Sequence, residues 1–287
     1  MQDRGEFKLV TYRKKRLPCV RNSRNAHVPL PDDNDNDSDN TSCEALFGKL
    51  LEAETELRNS SFGDDIFHSL KDSLNALNID GISEILCYGL GSFSCRRSSK
   101  YQLALLLSLK NHYGSRVHIY DPIFTPKEIQ LLERFDFNVI KINEEGKRIM
   151  EDNVTLVYMP HCSVHLTNNF LYANWSKILT KCILLTNSFS AIEDHSKFRN
   201  YMLMPIDYIL RIRPYVTEIA LKNNFTYEEV FHDLNIHIFL ERDIVTVPRD
   251  FWSEREEPSY GDATIDYFTA KQTEPVDVKN RPNEDET

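Results

Sequence analysis

The sequence predicts an α/β fold: a Rossmann-like, doubly wound, mainly parallel sheet with helices on both faces, preceded by two helices. Three observations predict it. A short apolar run without polar alternation at 85–88 reads as a strand covered on both faces, and 154–159 and 182–186 read as further strands. Helical stretches separate them, and strands alternating with helices imply a parallel sheet joined by right-handed crossovers. The first strand also runs straight into Gly89-Leu-Gly91, with a helix over 98–109 after an arginine-containing loop. Strand, glycine turn and helix is the arrangement that points backbone N–H groups at an anion. The match to G-x-G-x-x-G is partial. Ser94 holds its third position and the interval from turn to helix is long, so a plain strand-to-helix turn accounts for it as well.

Ahead of the sheet, residues 41–44 (Thr-Ser-Cys-Glu) have the form of a capping box. A helix follows to Leu57, with Leu46, Leu50, Ala53 and Leu57 on one face. Ile66, Phe67, Leu70, Leu74 and Leu77 mark a second helix, ended at 78–81. Asn111 and Gly114 close the helix after the glycine turn. Residues 116–121 form a second strand ending in an acid, Asp121. Pro126 takes the favoured first position of a helix over 126–134. A third strand is expected over 137–142, a polar loop over 143–148, a fourth strand over 154–159 and a helix over 164–179. The fifth strand, 182–186, ends in Asn187 and Ser188. Beyond Ser190 the pattern loosens. A helix is expected over 207–221 despite Pro214, then a turn of helix at 227–231 and a last strand over 234–240.

The 287 residues, 41% of them hydrophobic, are enough for one substantial core. The expected organisation is a disordered arm at 1–40, basic and then acidic, a single domain over 41–246, and a disordered acidic tail over 247–287. The net charge is −10, and residues 251–287 carry −6 of it. The globular part is therefore close to neutral and has no continuous basic stripe, which argues against a dedicated nucleic-acid surface. No apolar stretch approaches the ~18 residues of a membrane span, and the N-terminus shows no apolar signal region. Six scattered cysteines without C-x-x-C fit reduced thiols in an intracellular protein. Arg13, Lys14, Lys15 and Arg16 read either as a nuclear-import signal or as a solvated arm, so the expected location is cytoplasmic and nuclear. Asp33, Asp35, Asp37 and Glu44 have the spacing of a calcium loop. However, Ser38 stands where such a loop needs glycine, and Pro29 and Pro31 exclude an entering helix.

Several segments occur together in order: Tyr88-Gly-Leu-Gly-Ser-Phe-Ser94, Tyr120-Asp-Pro-Ile-Phe-Thr125, Asn143-Glu-Glu-Gly-Lys-Arg148, Tyr158-Met-Pro-His-Cys162, Asn174-Trp-Ser176 and Thr186-Asn-Ser-Phe189. They resemble the sensitivity-to-red-light-reduced family, on the side of its animal, red-light-reduced-like members. The likeness is close over 82–190 and looser over the strand at 236–239. It implies a regulatory protein, with protein partners, acting in circadian clock input, in the expression of clock genes and in the control of haem biosynthesis. It implies no established reaction. The chain departs from the family where Thr167 replaces the usual tyrosine and where His165 is extra.

In a parallel sheet, ligands bind outside the carboxyl ends of the strands, where strand order switches. The polar residues expected there are Gly89, Gly91, Ser92 and Ser94 after the first strand, Asp121 after the second, and Asn187 and Ser188 after the fifth. These are the candidate cofactor-binding residues, for a nucleotide-type or S-adenosylmethionine-type ligand. Asp121 reads either as a ribose-hydroxyl acceptor or as a turn residue before proline. His161 and Cys162 are candidate haem ligands, and with His165 they place three soft or borderline donors within five residues. Two adjacent ligands at a strand end do not close a zinc site, so no structural metal is expected. His161, with Glu144 or Glu145 as partner, is the candidate acid–base group. Trp175 and Phe189 read as core. Three functions stay open at this point: a ligand-sensing regulator, an unassigned nucleotide- or S-adenosylmethionine-dependent enzyme, and a haem-responsive factor.

Overall fold

A computed structural model of the chain describes residues 42–198 and 206–260; the expected arm at 1–40, its basic residues, and most of the expected tail lie outside the described residues. The domain is mixed α/β. Seven strands form one sheet: β1 (Glu84–Tyr88), β2 (Arg116–Tyr120), β3 (Phe137–Val139), β4 (Thr155–Met159), β5 (Cys182–Asn187), β6 (Thr217–Ala220) and β7 (Leu234–Ile238). Their order is β3-β2-β1-β4-β5-β7-β6. Strands β1 to β5 pair in parallel, and β7 runs antiparallel to both β5 and β6.

Alternation along the central strands sends side chains to two cores. Ile85 and Cys87, Leu156 and Tyr158, and Ile183 and Leu185 face one apolar cluster. Leu86 and Tyr88, Val157 and Met159, and Cys182 and Leu184 face the other. The first cluster is closed by α1 (Cys43–Arg58), α2 (Ser61–Leu77), α3 (Arg97–Tyr113) and α4 (Pro126–Arg134). The second is closed by α5 (Val164–Ala173), α6 (Phe189–Phe198), α7 (Asp207–Ile212) and α8 (Glu241–Ile244), with a 3₁₀ turn at Lys177–Lys181. Every residue of α3 from Tyr101 to Leu109 is buried. A helix apolar all round needs cover on its outer side as well. Helix α1 supplies it, through contacts such as Ser108 Oγ donating to Glu54 at 3.2 Å.

Four expectations need correction. The helix expected over 207–221 stops at Ile212, because Pro214 has no N–H to continue it. The chain then turns into β6, the edge strand. The helix expected over 164–179 ends at Ala173. There Asn174 turns its side chain on the backbone, accepting from Met150 N at 2.7 Å and donating to Arg148 O at 2.9 Å. The third strand keeps only three paired residues. Lastly, the domain does not end at 246. Residues 251–260 lie against α5 and α7, with Phe251 stacked on Trp175 at a centroid distance of 4.8 Å and Trp175 Nε1 donating to Phe251 O at 2.8 Å. These anchors are single aromatic residues without period, so periodicity does not reveal them.

Candidate functional site

The strand order reverses between β1 and β4, and the turn after β1 opens there. Gly89 has φ +68° and Gly91 φ +80°, both in the left-handed region that L side chains avoid. A Cβ on Gly89 would stand 2.4 Å from Cys162 Sγ, and one on Gly91 2.7 Å from Ser99 Oγ. The glycines are thus required by the chain's own packing.

The donors of this turn meet two carboxylates. Gly91 N–H donates to Asp121 Oδ2 at 2.7 Å, and Ile123 N–H to Asp121 Oδ1 at 3.0 Å. Burial raises the Asp121 carboxyl above its usual range, although those two N–H groups oppose the rise. Glu128, with no exposed surface, takes Ser92 Oγ at 2.8 Å, Ser94 N at 2.9 Å and Ser94 Oγ at 3.0 Å on one oxygen. Its other oxygen accepts Thr125 N at 2.8 Å and completes the capping box of α4. Asp121 thus acts as a turn residue, bonding the backbone on both oxygens, and it stands at the end of β2. Glu128 is the residue that sequence reasoning missed. Thr125-x-x-Glu128 announces the cap, but nothing local announces the second use of the carboxylate.

His161 and Cys162 follow β4. His161 adopts φ +53°. Its Nε2 donates to His232 O at 2.8 Å, and its Nδ1 faces the Gln102 amide at 3.4 Å. Burial lowers its pKa, so the ring is neutral at pH 7. Cys162 Sγ donates to Tyr88 O at 3.0 Å, and burial, with Asp121 nearby, pushes the thiol far up. A protonated thiol under the glycine turn and a ring engaged at both nitrogens do not make the donor set of a haem axial site. The expected pairing of His161 with a glutamate is absent as well. Glu145 pairs with Lys147 at 2.7 Å. Glu144 accepts from Tyr88 OH at 2.6 Å and from Arg148 in a fork at 2.9 Å. Burial works against the Glu144 charge, yet the Arg148 and Tyr88 hydrogen bonds hold its pKa below the ordinary range. His165 is buried on α5, with Nδ1 on Ser163 Oγ at 2.7 Å, apart from both.

Asn187 and Ser188 do not join this group. They stand two strands away, roughly 10 Å across the sheet. Ser188 Oγ and Ser190 Oγ each donate to Glu218 at 2.6 Å, which closes the N-terminus of α6. Asn235 at 2.9 Å, the Arg213 guanidinium at 3.5 Å and the fully buried His237 at 3.7 Å surround the same carboxylate. Among the described residues no cluster of three or more His, Cys, Asp or Glu forms a metal site. The described cysteines are free thiols. No described helix is long and apolar enough to cross a membrane.

Residues 55–238 match the SRR1 domain. The chain belongs to the SRR1 family. It is 30% identical over 251 residues to an SRR1-like protein of Drosophila melanogaster, covering 83% of this chain and 84% of that one. An SRR1-like protein of Mus musculus is 32% identical over 184 residues, 53% of this chain and 74% of that one. Protein SENSITIVITY TO RED LIGHT REDUCED 1 of Arabidopsis thaliana is 29% identical over 161 residues, 54% of this chain and 58% of that one. The SRR1 match reaches from the end of α1 to the end of β7, and so takes in both carboxylate centres.

Proposed function

We propose that this chain is a regulatory SRR1 protein that acts in circadian clock input, in clock-gene expression and in the control of haem biosynthesis. It works through protein partners in the cytoplasm and nucleus. On this reading its frame is Rossmann-like and doubly wound, and a ligand crevice lies at the carboxyl ends of β1, β2 and β4. Support comes from the family, from a plant relative named for its response to red light, and from the switch in strand order beside a glycine turn. The observation that carries the crevice is the Asp121 carboxylate at the end of β2, 2.7 Å from the Gly91 amide.

The enzymatic alternative uses the same crevice, and the same observation favours one version of it. Asp121 and Glu128 already take the donors of the turn, so a phosphate there would lose its partners and face two carboxylates. A ligand offering ribose hydroxyls and a neutral or positive centre, as S-adenosylmethionine does, fits these acceptors better than a phosphorylated nucleotide.

The test is rescue. In cells lacking this protein, re-expressed wild type should restore rhythmic clock-gene transcripts and the transcript levels of haem-synthesis enzymes. Asp121→Ala, at equal abundance, should restore neither. Full rescue by Asp121→Ala would contradict a role for the crevice.

A further inference from the structure

We propose that residues 262–268 of this chain cover the open face of β2 and β3, with Ile265 and Tyr267 against it. The face is left open by the way the chain connects its strands. A crossover between parallel strands is usually a helix that covers the sheet, but residues 140–154 join β3 to β4 without one. On β2, Val117 and Ile119 are sealed in the cluster that α3 and α4 close. Arg116, His118 and Tyr120, on the other side, are not buried. Leu86 and Tyr88, the β1 register partners of His118 and Tyr120, are buried, so the second core stops between β1 and β2. Asn138, the β3 partner of His118, is exposed. Ile142 and Ile149, 75% and 74% exposed, are the barest large hydrophobics among the described residues, and both belong to the connection without a helix. Single exposed apolar residues are ordinary; an uncovered sheet face flanked by two is a surface that takes a partner.

The occupant follows from where the described chain stops. Tyr260 OH donates to Asn169 Oδ1 at 2.8 Å, and Asn169 Nδ2 donates to Glu145 O at 2.8 Å. Lys147 meets Glu257 at 2.6 Å. The chain therefore leaves the described structure beside the loop at 143–148. That loop borders the open face: Glu144 accepts from Tyr88 OH, and Arg148 lies near enough to His118 to add to the lowering of its pKa by burial. From Tyr88 across to β3 is two strand spacings, about 10 Å, whereas residues 261–268 can span about 26 Å when extended. The sequence of the segment suits the face. In 263–267 (Ala-Thr-Ile-Asp-Tyr) apolar and polar residues alternate, which sets Ala263, Ile265 and Tyr267 on one side. Asp262 and Asp266 bring negative charge to a border that offers the exposed cations Arg116 and Lys141. No aromatic residue follows Phe268, so no later stretch of the chain offers the same apolar cover.

Photo-cross-linking of the full chain tests the contact. With p-benzoylphenylalanine in place of Tyr267, cross-links should form within one chain, to peptides covering 116–123 or 138–150. Amide hydrogen exchange gives a second readout. In the full chain carrying both Ile265→Asp and Tyr267→Asp, exchange over 138–150 should rise severalfold while 103–109 in α3 stays as in wild type. Absence of cross-links to either stretch overturns the proposal, as does unchanged exchange over 138–150 in the double variant. Equal acceleration over 103–109 overturns it too, because the substitutions would then act on the whole fold. A cross-linked dimer would make a second copy the occupant and would equally contradict it.

Discussion

Two glutamates close helix N-termini at opposite halves of the same sheet, and they are satisfied in different ways. Glu128, on the β2–β1–β4 side, accepts only from neutral donors: two serine hydroxyls and two backbone amides. Glu218, on the β5–β7–β6 side, sits among two serines, an asparagine amide, Arg213 and His237. The first arrangement shapes a turn through neutral donors alone. The second sets a cation, Arg213, against the carboxylate. Candidate binding residues on the two halves therefore differ in kind. Gly91 and Asp121 meet each other at the ends of adjacent strands, whereas Ser188 is spent on the Glu218 carboxylate.

Removing each carboxylate should expose the contrast. Glu218→Ala leaves the half-buried Arg213, the buried His237 and the Ser188, Ser190 and Asn235 donors without their carboxylate, and breaking a buried charge cluster on one side costs about 3–5 kcal/mol. Chemical denaturation of the variant should show a loss of that size. Glu128→Ala strands neutral donors instead, of which some find water, so a loss of about 2–3 kcal/mol is expected. Equal losses would mean that the charges around Glu218 add nothing.

The glycine turn gives the next effect. Gly89→Ala combines a positive φ with a Cβ placed 2.4 Å from Cys162 Sγ, whereas Gly114, at φ +66°, has nothing within 4 Å of its added Cβ. Gly114→Ala should cost about 1 kcal/mol, for the backbone alone. Gly89→Ala should cost clearly more, and the thermal midpoints of the two variants will separate them. Similar midpoints would remove the packing reason for the glycine at 89.

Acid should weaken the fold in two windows. His237 is held below the ordinary imidazole value chiefly by burial, with Glu218 opposing, and His161 and His165 are lowered by burial as well. A lowered histidine takes its proton more readily when unfolded. Stability should therefore be full above about pH 6.5 and fall as pH drops towards 5, by up to about 1.4 kcal/mol per pH unit for each proton. For Glu218, burial works against the charge, but hydrogen bonds from His237, Ser188 and Ser190 hold its pKa well below the usual carboxylate range. Its contribution is full above the unfolded carboxyl pKa and is lost only as pH falls through the folded one. His237→Gln should flatten the milder part of the profile, and Glu218→Gln the strongly acid part.

Much of the sheet was legible in the sequence because strands buried on both faces leave unbroken apolar runs, as at 85–88 and 182–186. β6 was hidden because it is a four-residue edge strand after a proline, with none of its residues fully buried. The candidate site was legible only as positions. Gly91 and Asp121 could be placed at adjacent strand ends from their order in the chain. The encounters of Glu128 with Ser94, of Gln102 with His161 and of Tyr260 with Asn169 span 34 to 91 residues. Local pattern does not encode contacts at that range. The same holds for His161 and Cys162, whose chemistry invites a ligand reading until Tyr88 O and His232 O claim them.

The crevice is the central claim, and a ligand panel tests it directly. Thermal shift of the purified chain should be measured with adenosine, S-adenosylmethionine, S-adenosylhomocysteine, ATP, NAD and haemin, for wild type and Asp121→Asn. The account predicts stabilisation by nucleosides without phosphate, S-adenosylmethionine or S-adenosylhomocysteine foremost, and loss of that ligand-induced shift, read against each protein's own unliganded midpoint, in Asp121→Asn. Stabilisation by ATP or NAD that survives in Asp121→Asn would contradict the charge logic of the turn, and no stabilisation by any of the six would contradict the crevice itself.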